Sequence, residues 1–169
     1  MNMDWLAELF GGIAIVLSVL IYQQKTQVRL LGYKAAADVL WILHYAMIGG
    51  YTRAAVTGVA LIRETVFFCS NGQGKRSKPV LACFLCAGAI CTVLTWTGWF
   101  SLFALAGSML SVVSFWLGEP RTSRKLSIPI SVCLCTYGLS NGSRAVLINE
   151  LLMIGSSVLG YLRLDRKKG

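Results

Sequence analysis

The sequence predicts an all-α integral membrane protein with seven transmembrane helices in a 3+1+3 arrangement of two parallel three-helix repeats. Three observations carry that expectation. The chain is 56% hydrophobic and only 14% charged, with a mean hydropathy of +0.65, which is too apolar for an ordinary soluble globule. It holds seven apolar stretches, each near the roughly 20 residues that cross about 30 Å of hydrocarbon. Its basic residues collect in alternate gaps between those stretches.

The stretches run about 4–22, 31–49, 51–69, 79–97, 99–117, 126–141 and 143–162. The first follows Asp4 with no Lys or Arg before it and no small-residue cleavage site behind it, so it reads as a retained span and not a signal peptide. The second and third are joined by the turn Gly49-Gly50. The sixth is short and carries Pro129, which a span tolerates only where neighbours satisfy the freed carbonyl. Small residues mark packing seams: Ala104, Gly107 and Ser111 on one face of the fifth span, Ser156 and Gly160 on one face of the seventh.

Orientation follows from Lys and Arg alone. The gaps after spans one, three, five and seven hold Lys25, Arg29 and Lys34, then Lys75, Arg76 and Lys78, then Arg121, Arg124 and Lys125, then Arg163, Arg166, Lys167 and Lys168. The opposite side has Arg53 and Arg144. This bias places the N-terminus outside and the C-terminus in the cytoplasm. Both halves share a rhythm of span, basic loop, span, Gly-Arg turn, span and basic end. Gly12 and Gly107, and Arg29 and Arg124, coincide at one offset, and Gly50, Arg53 and Ala54 are matched approximately by Gly142, Arg144 and Ala145. One transmembrane domain over 1–169 is therefore expected, with repeats at 4–69 and 99–162, a linking helix at 79–97 and a basic cytoplasmic tail at 163–169.

The charge pattern also excludes functions. A net charge of +9 invites nucleic acid, but it sits between apolar stretches and not along a basic helix, so its role is topogenic and the partner is the bilayer. Cys83 and Cys86 have ligand spacing without a second Cys pair or a His cluster, so no metal is expected. No phosphate loop, nucleophile-histidine pair or cofactor motif occurs, and the reading is non-enzymatic.

Ionisable residues inside apolar spans mark function by default. Lys34, Asp38, Arg63 and Glu64 share a level about 10 Å from the cytoplasmic edge, at about 1.5 Å per helical residue. Their charges sum to zero. They form either an ion-pair cluster, with Asp38 and Arg63 fixing the second span to the third, or a cytoplasmic gate or proton site. Trp41 lies near the midplane on the same helical face, offering a flat apolar surface with one donor to a sugar ring or an organic cation. His44 and Tyr45 follow one turn further out; a lone histidine is either a proton relay or a hydrogen-bonded packing residue. Asn149 and Glu150 occupy the outer half of the last span.

Gln23-Gln24-Lys25, Ala37-Asp38, Trp41, His44-Tyr45, Gly49, Tyr51-Thr52 and Arg63 together resemble the YgjV-type bacterial inner-membrane proteins, most clearly over 10–68. That family looks like a distant relative of the SWEET and SemiSWEET (PQ-loop) carriers. The resemblance implies a central pocket between two triplets, flanked by a Trp and an Asn. Trp41 fits the Trp place, Thr57 stands in the corresponding region of the third span, Asn149 is present in the second half, and Cys133 lies near the second Trp place. Gln23-Gln24 stands where PQ-loop relatives have Pro-Gln.

Two function classes follow: a carrier of a small polar solute that binds at Trp41, His44, Tyr45, Thr57 and Asn149, or a non-transporting membrane partner or assembly factor. The sequence names neither a substrate nor an oligomeric state.

Overall fold

The computed structural model describes residues 3–49, 51–72, 77–94, 96, 98–140 and 144–165. Seven α-helices account for most of these, and no strand occurs among the described residues: α1 (Met3–Ile21), α2 (Gln27–Met47), α3 (Tyr51–Gly72), α4 (Lys78–Leu94), α5 (Ser101–Trp116), α6 (Pro120–Ser140) and α7 (Arg144–Leu164). Gly50, Lys75, Arg76, Gly142 and the tail residues Arg166, Lys167 and Lys168 lie outside the described residues.

Local chemistry sets the helix ends. The Thr26 side chain accepts from the Arg29 backbone N–H at 3.4 Å and opens α2, satisfying one of the orphan donors of a first turn. Gly49, at φ 76°, follows the end of α2, a conformation that L side chains resist. Gly118, at φ 66°, likewise follows α5, and Pro120 opens α6 two residues on. Pro is suited to a first helical position because its missing N–H would be unpaired there anyway. Two helices therefore begin before the apolar stretches within them: α2 at Gln27 and α6 at Pro120, against starts of 31 and 126 expected from hydropathy.

Consecutive helices pack together, α3 meeting α4 through Phe67 and Phe84 with ring centroids 5.6 Å apart, and α1 also touches α7 while α3 touches α5. An apolar cluster of Ile21, Leu30, Leu31, Phe67, Val112 and Phe115 closes one end of the bundle. Elsewhere the polarity is inverted. Asp38, Glu64, Ser123, Arg124, Ser127, Ser131 and Ser157 are buried, while Val56, Ile62, Val93, Leu94, Leu151 and Leu159 are more than half exposed. That is the pattern expected of a surface that meets lipid and an interior that need not be apolar.

Among the described residues, one segment, Val146–Leu164, is by itself long and apolar enough to cross a membrane. Trp5–Ile21, Lys78–Leu94 and Ser101–Trp116 are apolar but shorter. The remaining helices are diluted by the polar residues they bury.

Candidate functional site

The buried polar residues form one continuous seam. On α2, Lys34 and Asp38 are one turn apart and so lie on one face. Lys34 Nζ donates to both Asp38 oxygens at 2.7 Å. The same ammonium reaches Glu64 Oε1 on α3 at 3.1 Å, and Arg63 Nη2 reaches that oxygen at 3.2 Å. Glu64 is completely buried. The expected Asp38–Arg63 pair does not occur among the ion pairs of the described residues. Lys34, within one helical turn, occupies both Asp38 oxygens, and Arg63 instead lies 5.8 Å from the centre of the Phe115 ring on α5. The polar link between α2 and α3 is therefore Lys34 Nζ to Glu64 Oε1.

The other side of the seam is built from hydroxyls. Ser131 Oγ donates to Glu150 Oε2 at 2.7 Å, joining α6 to α7, and Asn149 Nδ2 donates to Glu150 Oε1 at 3.2 Å. Ser127 and Ser157 lie within hydrogen-bonding reach of each other and, at 2.9 and 2.7 Å, of the Arg124 carbonyl oxygen; with one proton each, they make two of these three bonds at a time. Tyr22, just past α1, joins the two sides: it faces Ser127 and interacts electrostatically with Lys34, Glu64 and Glu150.

Arg124 locks the base of this seam. Its side chain is almost fully buried. Nε donates to the Tyr22 carbonyl at 2.7 Å, Nη1 to Asp165 Oδ2 at 2.8 Å, and Nη2 to the Gln24 carbonyl. A planar fork is well suited to collecting carbonyls at the end of a helix. Gly160 admits this approach, because a Cβ there would overlap the Tyr22 carbonyl oxygen. Ser156 donates to the Val19 carbonyl, and Gln23 Nε2 donates to the Ser156 carbonyl at 2.8 Å, completing the α1–α7 junction.

Trp41, His44 and Tyr45 come together as one aromatic cluster. The Trp41 and Tyr45 rings stack at 5.4 Å with an interplanar angle of 19°, and His44 meets Trp41 edge-on at 5.5 Å. His44 Nδ1 lies 2.7 Å from the Ala7 carbonyl. A carbonyl only accepts, so Nδ1 carries a proton. The imidazole also covers Gly11, where a Cβ would come within 3.0 Å of Nδ1. His44 thus ties α2 to α1. Thr57 is half-buried on α3 and Asn149 half-buried on α7. An open groove of about 660 Å³ lies between α1 and α7, lined by Val19, Gln23, Leu151, Leu152, Leu159 and Arg163 among others. None of Trp41, His44, Tyr45, Thr57 or Asn149 lines it.

Sequence reading found the Ser156 and Gly160 seam but missed Tyr22, the clamp role of Arg124, and Ser127, Ser131 and Ser157. The spacing of Ser123, Ser127 and Ser131 on α6 is the signal that could have found the serines, since residues four apart share a helical face.

Apolar residues outside and an ionisable seam inside define a helical membrane protein. A family model described as bacterial inner membrane protein, Imp-YgjV, matches residues 5–168, and the chain belongs to that family. No curated protein and no solved structure matches it.

Proposed function

We propose that the chain is a multi-pass carrier of a small polar solute. On this reading α1–α3 and α5–α7 are two parallel three-helix repeats, α4 links them, the N-terminus is outside and the C-terminus is cytoplasmic. The observation that carries it is the pairing of contacts between halves. Exchanging the first and third helices of the two halves converts the α1–α7 contact into the α3–α5 contact, as a two-fold axis along the membrane normal would. Side chains at that boundary keep one register: Lys34 and Ser127, Asp38 and Ser131, Glu64 and Ser157 are each 93 residues apart. One half contributes charges and the other hydroxyls. A polar seam between two like halves supplies the partners that a solute needs on leaving water.

Trp41 lies one turn from Asp38 on the same helix, and Asn149 is bonded to Glu150, so an aromatic face and an amide border the outer end of the seam. Tyr45 and His44 hold the Trp41 indole, and Thr57 is the α3 contribution. Reporter fusions after residues 74, 97, 122 and 169 test the topology, with cytoplasmic activity expected at 74, 122 and 169 and external activity at 97. Cytoplasmic activity at 97 would sink it.

The transport reading is tested by a thermal-shift screen of purified protein against sugars, amino acids, organic cations and nucleosides, since a ligand of the folded state raises its Tm by mass action. A hit is expected that Trp41→Ala abolishes without lowering the unliganded Tm. A wild type that responds to none of these classes would favour the second reading, a non-transporting membrane partner. That reading draws on the outward-facing leucines of the α1–α7 groove.

A further inference from the structure

Five ionisable side chains share the seam: Lys34 and Asp38 from α2, Arg63 and Glu64 from α3, and Glu150 from α7. The other packed elements bring the Tyr22 phenol from the end of α1, the apolar Phe115 ring from α5, and serine hydroxyls from α6. Two cations therefore face three carboxyl groups. With all three ionised, one negative charge would stand uncompensated in an apolar interior, an arrangement that proteins avoid by taking up a proton. One proton restores balance.

The hydrogen bonds identify where that proton belongs. Both Asp38 oxygens accept from Lys34 Nζ at 2.7 Å. Both Glu150 oxygens also have donors, Ser131 Oγ at 2.7 Å and Asn149 Nδ2 at 3.2 Å. Glu64 differs. Its Oε1 takes Lys34 and Arg63, but its buried Oε2 has no partner. The Asp38 carboxyl is within hydrogen-bonding reach of Glu64, and two carboxylates at that separation cannot both remain ionised without strong repulsion.

We propose that Glu64 carries a proton on Oε2 and donates it to Asp38, making this carboxyl pair a buried, exchangeable proton site between α2 and α3. The proton comes from water and returns to it, and only O–H bonds change. A metal ion is disfavoured because Lys34 Nζ and Arg63 Nη2 already crowd Glu64 Oε1. Among the described residues, no three His, Cys, Asp or Glu side chains are grouped to hold one. The site goes beyond the carrier reading and stands whether or not the protein transports.

Linkage gives the sign. The folded state holds a proton that the unfolded chain releases above the ordinary carboxylate range, so the wild type loses stability as pH rises, by about tenfold in the folding constant per pH unit while the folded site stays occupied. In Glu64→Gln the amide N–H reproduces the donor to Asp38 and does not titrate. The variant is therefore expected to fold, to match the wild type near pH 5 and to exceed it in Tm at pH 8.

Infrared difference spectra of the wild type should contain the C=O stretch of a protonated carboxyl at neutral pH. That band is expected to survive Glu150→Gln and to vanish in Glu64→Gln. A Glu64→Gln protein that fails to fold or is destabilised at every pH would overturn the proposal, because it would mean that Lys34 and Arg63 require an ionised Glu64. Absence of the band in the wild type would overturn it without any variant. Stabilisation by sodium chloride over choline chloride at constant pH would overturn it too, assigning the site to a metal cation.

Discussion

Arg124→Met should lower stability by about 3–5 kcal/mol, the range for removing one partner of a buried charge pair. The guanidinium serves the Tyr22 and Gln24 carbonyls and the Asp165 carboxylate together. Methionine fills much of the volume but strands all three acceptors, one of them charged. Lysine keeps the charge and loses the fork, so Arg124→Lys should recover only part of the loss. Asp165→Asn should cost less than either, because Asp165 sits at the end of α7 with some solvent access. Chemical denaturation in detergent measures all three. A loss under about 1 kcal/mol for Arg124→Met, the scale of a surface pair, would mean that the clamp is hydrated and does not hold α1 to α6.

Arg124 also shows where sequence reasoning stops. A basic residue just ahead of an apolar run reads as a cytoplasmic loop charge, and the count of Lys and Arg that orients the chain uses it that way. Its partners are set by a fold that brings Tyr22 and Gln24 about a hundred residues back to it, and nothing local announces this. Hydropathy located every helix but placed the starts of α2 and α6 too late, since it registers apolar residues and a helix runs on through polar ones when they are capped or buried. Thr26 and Pro120 were the local signals.

The polar cluster was legible in part. Lys34, Asp38, Arg63 and Glu64 stand out because charges are rare in apolar runs, and helical geometry puts them at one depth. Which cation meets which carboxylate depends on rotamers and helix contact, and Lys34 took the place expected for Arg63. The serines carried no such contrast, because hydroxyls are ordinary in packed membrane helices. Their function as the matching side of the seam depends on register between the two halves. For His44, the Ala7 carbonyl supplies the partner that a packing role needs.

Lys34→Met should cost a comparable amount, about 3–5 kcal/mol, because it removes the ammonium that pairs with the buried Asp38 carboxylate and also reaches Glu64 Oε1. A double-mutant cycle then separates the contacts within the cluster. Lys34→Met combined with Asp38→Asn should be less damaging than the sum of the two, with a coupling of about 1–3 kcal/mol, as for residues in one ion-pair network. Asp38→Asn combined with Arg63→Gln should be additive to within about 0.5 kcal/mol, because Arg63 meets Glu64 and Phe115 and makes no direct contact with Asp38. Both cycles use guanidinium denaturation of the protein in one detergent at one pH, so that proton occupancy is held constant. Equal couplings for the two pairs would mean that Arg63 reaches Asp38 in solution. The bond between α2 and α3 would then be Asp38–Arg63, leaving Lys34 free to swing toward Glu150.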